Sequence, residues 1–209
     1  MRTVLCYGDS NTWGAVPMTR WDDQPRYDPE TRWTGVLQRE LGPDWQVVAE
    51  GLPARTTVLD DPVDGPHLSG LRYLRPCLES HRPIDVLVLM LGTNDFKRRF
   101  GMEAEDVAFG IDRLLREVAF ALPAPQTPRV VLVCPPPIVV TGIFTTMYEG
   151  ADRKFAPLPA LLAELARARG TGFLDAGLII RSSPVDGIHW EAAAHGAMGR
   201  AVAPLVRAA

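Results

Sequence analysis

The sequence predicts a single α/β domain built on a parallel sheet, because strand-sized apolar segments alternate with segments of helical periodicity. The strand-like segments lack clean polar–apolar alternation, which is typical of strands covered on both faces. They are Thr3–Tyr7, Gln46–Ala49, Ile84–Leu91, Val130–Cys134 and, more weakly, Gly172–Leu174. The helical segments are Trp33–Leu41, Leu71–Ser80, Ala104–Ala121, Leu158–Ala168 and Glu191–Arg207. Right-handed crossovers bring the carboxyl ends of parallel strands to one edge, where reactive groups belong.

Length and charge narrow the possible functions. The 209 residues suit one domain that spans residues 1–209. A formal net charge of −3 provides no basic field for nucleic acid, and the apolar segments are far shorter than the ~18 residues of a membrane span. Val4–Tyr7 has a strand pattern and not that of a signal peptide, so we expect a cytoplasmic protein that binds neither nucleic acid nor membrane.

The three cysteines are expected to be small buried side chains. Cys6 and Cys134 lie in strand-like segments and Cys77 lies beside a proline, so no disulfide framework is indicated. No cysteine or histidine cluster has the spacing of metal ligands. We therefore expect no metal site.

Three connections are longer than the sheet requires: Ala15–Arg32, Thr56–Gly70 and Pro135–Pro157. Long loops in a compact domain are usually functional or lie at interfaces. The third carries Phe144, Met147 and Tyr148. These residues could line a substrate pocket or pack against another subunit, and the sequence favours neither. The first two loops suggest a homo-oligomer.

The first strand is followed directly by Gly8-Asp9-Ser10. Glycine permits a sharp turn, which would leave Ser10 at the sheet edge near a helix start, where free N–H groups favour an anion. Ser10 is thus a candidate nucleophile. Alternatively, this short segment forms only a turn and a helix cap.

A candidate base lies near the other end of the chain, where Asp186 precedes His189 by three residues. A serine hydroxyl needs a neutral imidazole to take its proton, and the imidazole needs an acceptor to fix its tautomer. The chain has only four histidines, and His189 lies just before the last predicted helix. The alternative is a capping aspartate and a surface histidine.

Two further turns offer oxyanion donors. Asn94 follows the most hydrophobic strand-like segment, and its amide can donate to an oxyanion without changing charge. The turn after the second strand, Glu50–Thr57, could add a backbone N–H. Each segment alone is also consistent with an ordinary turn. Together, the four turns supply a nucleophile, a base with its carboxylate, and oxyanion donors.

The Gly8-Asp9-Ser10, Gly92-Thr93-Asn94-Asp95 and Asp186-Gly187-Ile188-His189 blocks, in this order, resemble those of the SGNH (GDSL-type) hydrolases. The resemblance implies a flavodoxin-like three-layer α/β/α sandwich with strand order 2-1-3-4-5 and no cofactor. Arg32-Trp33-Thr34-Gly35 and Ala54-Arg55-Thr56-Thr57 are similar to the small bacterial arylesterase/acyltransferase (perhydrolase) branch, of which at least one member forms an octamer.

The resemblance implies roles for single residues. Ser10, His189 and Asp186 match the catalytic serine, histidine and aspartate. The N–H groups of Ser10 and Ala54, with the Asn94 side chain, match the oxyanion hole. Ala54 departs from the usual glycine, although the arylesterase branch also has alanine there. The predicted pocket residues are Asp9, Trp13, Phe144, Met147, Tyr148, Ile188 and Trp190.

The predicted function is a serine esterase for short-chain aryl or alkyl esters that also transfers acyl groups to alcohols or peroxide. The small-molecule ester and its acceptor are then the only expected partners besides other subunits. The main alternative is a carbohydrate or lipid deacetylase with the same triad. A flavodoxin-like phosphate-binding module would leave Asn94, Asp186 and His189 unexplained, and an inactive interaction protein would be expected to lack a triad member.

Overall fold

The computed structural model describes all of residues 1–209. Its sheet consists of β1 (Arg2–Gly8), β2 (Trp45–Gly51), β3 (Val86–Met90), β4 (Arg129–Cys134) and β5 (Gly172–Asp175). All neighbouring strands are parallel, and their order is β2-β1-β3-β4-β5. The predicted fold and strand order are confirmed.

Seven α-helices surround the sheet. They are α1 (Ser10–Trp13), α2 (Trp33–Leu41), α3 (Gly70–His81), α4 (Ala104–Ala121), α5 (Ala151–Phe155), α6 (Leu158–Arg169) and α7 (Ala192–Ala208). The bounds of α2 and α4 are those predicted from the sequence, and the other predicted helices differ by a residue or two. Helices α1 and α5 were not predicted, because at four and five residues they are too short for helical periodicity to be visible.

The core has two layers because successive strand residues point to opposite faces of the sheet. Leu87 and Leu89 pack with α3, α4 and α6 in one cluster, whereas Val86 and Val88 pack with α2 and α7 in the other. All four side chains are fully buried, and burial of each such side chain stabilises the fold by about 1.5–3 kcal/mol. Coverage on both faces explains why the strands show no alternation.

The carboxyl edge of the sheet is held together by close backbone packing. Gly51 ends β2 against α1, and a Cβ atom there would lie 2.1 Å from the Trp13 nitrogen. Only glycine allows this approach. The packing brings the turn after β2 next to the turn after β1, where Ser10 lies.

The cysteines and the apolar character of the helices complete the description of the fold. Cys6, Cys77 and Cys134 are free and buried, as predicted. None of the helices has both the length and the apolar character that a membrane crossing requires.

Candidate active site

Ser10 begins α1 directly after β1 and is 5% exposed. The preceding Asp9 caps this short helix, since its Oδ1 accepts a hydrogen bond of 3.0 Å from the Asn11 nitrogen. The Asn11 side chain donates in turn to the Ile188 carbonyl at 3.1 Å. This bond ties the first turn of the chain to the segment that carries His189.

A tight turn fixes Asp186 and His189 to one another. Gly187 has a φ of 78°, and a Cβ atom there would lie 1.7 Å from the Val139 carbonyl oxygen, so the turn requires glycine. Asp186 Oδ1 accepts from the backbone nitrogens of Ile188 at 3.0 Å and His189 at 2.9 Å. Its Oδ2 accepts from Met18 N at 2.7 Å and lies 2.7 Å from His189 Nδ1.

These contacts keep the Asp186 carboxylate charged. Burial alone would raise the pKa of Asp186, but the hydrogen bond and charge of His189 and the backbone donors lower it below its usual value. The carboxylate is fully buried, and His189 is 5% exposed. An ionised acceptor at Nδ1 favours the imidazole tautomer whose Nε2 is free to accept a proton.

Ser10 and His189 meet across 179 residues of sequence. The Ser10 Oγ lies 3.1 Å from His189 Nε2, within hydrogen-bonding distance. Ser10, His189 and Asp186 therefore form a continuous hydrogen-bonded chain at the carboxyl edge of the sheet. This is the geometry that activates a serine for nucleophilic attack.

The other predicted oxyanion donors lie in the same cavity. Ala54 and Asn94 line it together with Ser10. Ala54 has a φ of 66° and is the only non-glycine residue in the left-handed region. Its N–H makes no hydrogen bond within the protein. A strained backbone with an unused donor is characteristic of functional loops. A positive φ favours glycine, so alanine occupies this position at a cost in strain.

A buried aspartate connects the two loops that carry Ala54 and Asn94. Both carboxylate oxygens of Asp95 accept from the Thr57 nitrogen at 3.0 Å, and Oδ1 lies 2.5 Å from the Thr57 hydroxyl. Burial raises the pKa of Asp95 to about 7, against the lowering effect of these bonds. Burial likewise raises the pKa of Asp9 to about 6.

The cavity has a volume of about 370 Å³. Of the predicted pocket residues, Trp13, Phe144, Met147, Tyr148 and Ile188 line it. The Phe144 ring makes edge contacts with His189 at 5.8 Å and Tyr148 at 6.2 Å between ring centres. The apolar part of the loop Pro135–Pro157 thus forms a pocket wall beside the imidazole.

Two predicted pocket residues are corrected. Trp190 is fully buried in the core cluster beneath α2 and α7, because its side chain points away from the cavity that its neighbour His189 faces. Asp9 is buried as the cap of α1 and does not line the cavity. Both residues were predicted to line the pocket because they lie next to a reactive residue in the sequence, and this proximity did not place their side chains in the cavity.

Several cavity residues come from loops without periodicity and were not predicted from the sequence: Met18, Trp21, Gln24, Asp64, His67 and Lys97. Lys97 is 3% exposed, and its Nζ lies 3.4 Å from Asp61 and 3.2 Å from Asp64. The only available signal for Lys97 was its position three residues after Asn94.

One group of side chains could in principle hold a metal ion. Glu50, Cys77 and His81 place their ligand atoms within 4.8 Å of one another, outside the cavity. His81 Nε2 lies 2.8 Å from a Glu50 carboxylate oxygen, so these two side chains already satisfy each other by a hydrogen bond. Nothing in this cluster contacts Ser10 or His189.

A hydrogen-bonded serine, histidine and aspartate at the carboxyl edge of a three-layer α/β/α sandwich is the arrangement found in serine hydrolases. Residues 6–197 match the model of the GDSL-like lipase/acylhydrolase family, and the chain belongs to this family. It is thus a hydrolase of the SGNH/GDSL esterase family. A comparison with curated protein sequences found no significant match.

Solved structures agree with this assignment. The inhibitor-bound aryl esterase of M. smegmatis is 39% identical, with a TM-score of 0.94 over 100% of this chain and 99% of that one. Est24, a carbohydrate acetylesterase from Sinorhizobium meliloti, is 38% identical with a TM-score of 0.94 and the same coverage. A lipolytic G-D-S-L family protein from Veillonella parvula, 13% identical with a TM-score of 0.71 over 98% of both chains, shares the fold alone.

Proposed function

We propose that the protein is a serine esterase that cleaves short-chain aryl or alkyl esters through an acyl-enzyme and also transfers the acyl group to alcohols or peroxide. The observation that carries this proposal is the chain of hydrogen bonds from Ser10 through His189 to Asp186, at 3.1 and 2.7 Å. It opens into a cavity lined by Asn94 and by Ala54, whose N–H makes no hydrogen bond within the protein.

In the first half of the reaction, Ser10 Oγ attacks the ester carbonyl carbon while His189 Nε2 takes the hydroxyl proton. The imidazolium that forms is stabilised by the Asp186 carboxylate at Nδ1. The carbonyl oxygen becomes an oxyanion, which accepts hydrogen bonds from the N–H groups of Ser10 and Ala54 and from the Asn94 side chain. Collapse of this intermediate breaks the bond to the alcohol, and His189 returns the proton to the departing alkoxide.

In the second half, the acceptor attacks the acyl-Ser10 ester while His189 takes a proton from it. Water gives the carboxylic acid, an alcohol gives a new ester, and hydrogen peroxide gives a peracid. The same oxyanion donors act again, and Ser10 recovers its proton from His189. Each step conserves atoms and charge without any cofactor.

The size of the cavity supports the proposed preference for small substrates. Its volume of about 370 Å³ is near the lower limit of pockets for small molecules. Trp13, Phe144, Met147 and Ile188 supply an apolar surface beside the reactive serine. Such a wall favours short acyl chains and aryl alcohols, and it limits the access of water to the acyl-enzyme.

A fluorophosphonate probe tests the central claim, because it labels only an activated serine. We expect labelling and p-nitrophenyl acetate hydrolysis by the wild type, and loss of both in Ser10→Ala. Ser80→Ala, which removes an exposed hydroxyl bonded only to the Pro76 carbonyl, is the matched control. Esterase activity retained by Ser10→Ala would overturn the proposal. A series of p-nitrophenyl esters then defines the acyl chain length.

Acyl transfer is measured separately, with vinyl acetate and benzyl alcohol in water. We expect benzyl acetate among the products, and widening the apolar wall with Phe144→Ala should increase the share of acetic acid. Acetic acid as the sole product of the wild type would remove the transferase part and leave the esterase part intact.

A carbohydrate deacetylase is the second candidate, supported by a specific feature of the cavity. Gln24, Asp64 and His67 place polar side chains in its lining, where they could bind sugar hydroxyls, and one relative is a carbohydrate acetylesterase. An acetylated glucose assayed beside p-nitrophenyl acetate distinguishes the two. If this candidate holds, His67→Ala lowers kcat/KM for the sugar ester and spares the aryl ester.

A homo-oligomer, with the octamer as one form, remains a proposal. Trp21 in the first long loop and Val63 in the second are 55% and 71% exposed, and apolar side chains of this size favour an interface. Light scattering tests it, and a monomeric mass at micromolar concentration would reject it. A cytoplasmic location likewise remains a prediction, to which the three free cysteines conform.

A further inference from the structure

The Asn94 amide is held at both of its ends by the protein. Its Nδ2 donates to the Arg55 carbonyl at 3.1 Å, and its Oδ1 accepts from the Tyr148 hydroxyl at 3.0 Å. Asn94 and Tyr148 are 4% and 3% exposed. The bond to Arg55 uses only one of the two amide N–H groups, which leaves the other for the cavity that Asn94 shares with Ser10.

The Arg55 carbonyl can only accept a hydrogen bond, whereas the Tyr148 hydroxyl can donate one, and both are needed to fix the orientation of the Asn94 amide. A backbone carbonyl can only accept, so it repels the amide oxygen and holds the NH₂ group towards Arg55. The oxygen must then face Tyr148, where a buried acceptor without a donor would be costly. Burial, followed by the charges of Asp9 and Asp95, raises the pKa of Tyr148 well above its usual value, so the hydroxyl stays protonated and donates.

We propose that Tyr148 is a positioning residue for oxyanion stabilisation, which acts through its hydroxyl on the Asn94 side chain. The inference rests on the proposed function. The hydrogen bond stops the amide from rotating about its terminal torsion, so that an N–H and not a lone pair meets the oxyanion. It also polarises the amide, because a donor at the oxygen makes the N–H groups stronger donors in a site of low dielectric.

The loop that carries Tyr148 is anchored on both sides of the residue. The Tyr148 nitrogen donates to the Phe144 carbonyl at 3.0 Å, and its own carbonyl accepts from Ala151 at 2.9 Å. The neighbouring Met147 carbonyl accepts from the Arg98 nitrogen at 2.7 Å. Because Arg98 lies four residues after Asn94, this bond fixes the Tyr148 loop to the segment that follows the asparagine. The long connection thus completes the oxyanion site in addition to forming a pocket wall.

Tyr148→Phe tests the hydroxyl alone. We expect kcat for p-nitrophenyl acetate to fall about tenfold, since the effect is confined to the transition state, with KM within about twofold because the ring and the cavity are retained. Active sites are titrated with the fluorophosphonate, so that kcat refers to folded, reactive protein. The variant therefore remains informative even if less of it folds.

A double-mutant cycle distinguishes positioning from a general structural effect. Asn94→Ala should lower kcat about a hundredfold or more. Adding Tyr148→Phe to Asn94→Ala should change kcat by less than about twofold, because the group on which the hydroxyl acts is gone. A hydroxyl that supported the site in some other way would lower kcat by the same factor in both backgrounds.

Tyr7→Phe is the matched control. The Tyr7 hydroxyl is also buried and donates to a protein oxygen, the Gly70 carbonyl at 2.7 Å, so its loss should lower thermal stability while kcat is retained. Full kcat in Tyr148→Phe, or additive effects in the cycle, would overturn the inference. If Ser10→Ala still abolishes activity in that case, the proposed function stands and only the role of Tyr148 fails.

Discussion

The two edges of the sheet hold cavities of opposite chemical character. The larger cavity, about 850 Å³, lies at the amino ends of β4 and β5, and Arg116, Arg129 and Arg169 contribute to its lining. The cavity at the carboxyl edge has less than half that volume, yet it contains Ser10 and His189. The lining of the larger cavity includes no serine, cysteine, histidine, aspartate or glutamate.

Cavity volume is therefore a poor guide to the site in this protein, and fixed polar groups are a good one. At the carboxyl edge, the turns after β1, β2 and β3 converge. The Leu52 nitrogen donates to the Gly8 carbonyl at the end of β1, and further hydrogen bonds link the turns after β2 and β3. In a parallel sheet these turns meet at one edge by topology. The amino edge receives the ends of helices instead, and its cavity is a gap between elements.

The largest expected effect sharpens this contrast. Asp186→Asn should lower kcat for p-nitrophenyl acetate roughly 10³- to 10⁴-fold, because an amide stabilises neither the correct imidazole tautomer nor the imidazolium. Arg116→Ala, at the larger cavity, should leave kcat unchanged. Circular dichroism verifies the fold, since Asp186 also accepts from backbone nitrogens. A kcat within tenfold of the wild type in Asp186→Asn would refute the assigned role of this carboxylate.

A second comparison uses the aspartates that flank β3. Asp95→Ala leaves the buried nitrogen and hydroxyl of Thr57 unpaired, so the free energy of unfolding should fall by about 2–4 kcal/mol. We expect kcat to fall as well, because Thr57 lies in the same loop as Ala54, three residues further along. The side-chain carboxylate of Asp85, before β3, accepts a single bond of 2.7 Å from the Thr3 nitrogen. Its replacement by alanine should cost only about 1 kcal/mol and spare kcat.

Urea unfolding and steady-state kinetics on the two variants measure these effects. Loss of kcat in Asp85→Ala that matches the loss in Asp95→Ala would mean that damage to either edge reaches the site through general destabilisation. The contrast between the edges would then be wrong.

Two buried histidines, His189 and His195, differ in their partners, and only His189 contacts a carboxylate. His195 lacks a carboxylate partner, accepts from the Trp33 nitrogen at 3.3 Å and has a pKa that burial lowers to about 4. Because the unfolded chain binds a proton on His195 below pH 6.5 and the folded chain resists it down to about pH 4, stability is lost as pH falls through this window.

Between pH 7 and 5, His195 should lower the free energy of unfolding by about 2 kcal/mol. His195→Gln, which can still accept from Trp33, should flatten this part of the pH dependence. Asp9 and Asp95 act in the opposite direction, since their folded pKa values are raised and their protonated forms stabilise the fold at low pH. Both remain in the variant, so the difference between the two urea titrations isolates His195. An identical slope would contradict the prediction.

The sequence was sufficient for features that depend on chain order and periodicity. Long amphipathic segments such as α4 were delimited correctly, and polar turns after strands indicated which residues could meet at the carboxyl edge. Parallel topology also accounts for the approach of Ser10, Ala54 and Asn94, because each lies in the turn after a strand of the same sheet. The positive φ of Ala54 was not predictable, because alanine carries no signal for that conformation.

Side-chain contacts made by aperiodic loops were also beyond reach. The ion pair between Lys97 and Asp61 and the hydrogen bond from Tyr148 to Asn94 each join two segments far apart in the chain. No sequence pattern indicates that these segments are in contact. Trp190 shows the converse, since it lies beside His189 in sequence and yet belongs to the core. The direction of each side chain depends on local backbone geometry that the sequence does not specify.

The smallest expected effect is on the free energy of unfolding, after substitutions at two residues with a left-handed backbone, Ala54 and Gly101. Ala54 and Gly101 have nearly the same φ, 66° and 64°, and Gly101 has open space around its Cα. Ala54→Gly should relieve strain and raise the free energy of unfolding by up to about 1 kcal/mol, in part offset by the greater freedom of glycine in the unfolded chain. Gly101→Ala should lower the free energy of unfolding by about 1 kcal/mol. Neither should change kcat more than about twofold, because the Ala54 N–H keeps its direction. Urea unfolding measures both changes in stability. A marked fall in kcat for Ala54→Gly alone would mean that catalysis depends on the stiffness of alanine at this position. That dependence would explain why the site tolerates the strain of Ala54.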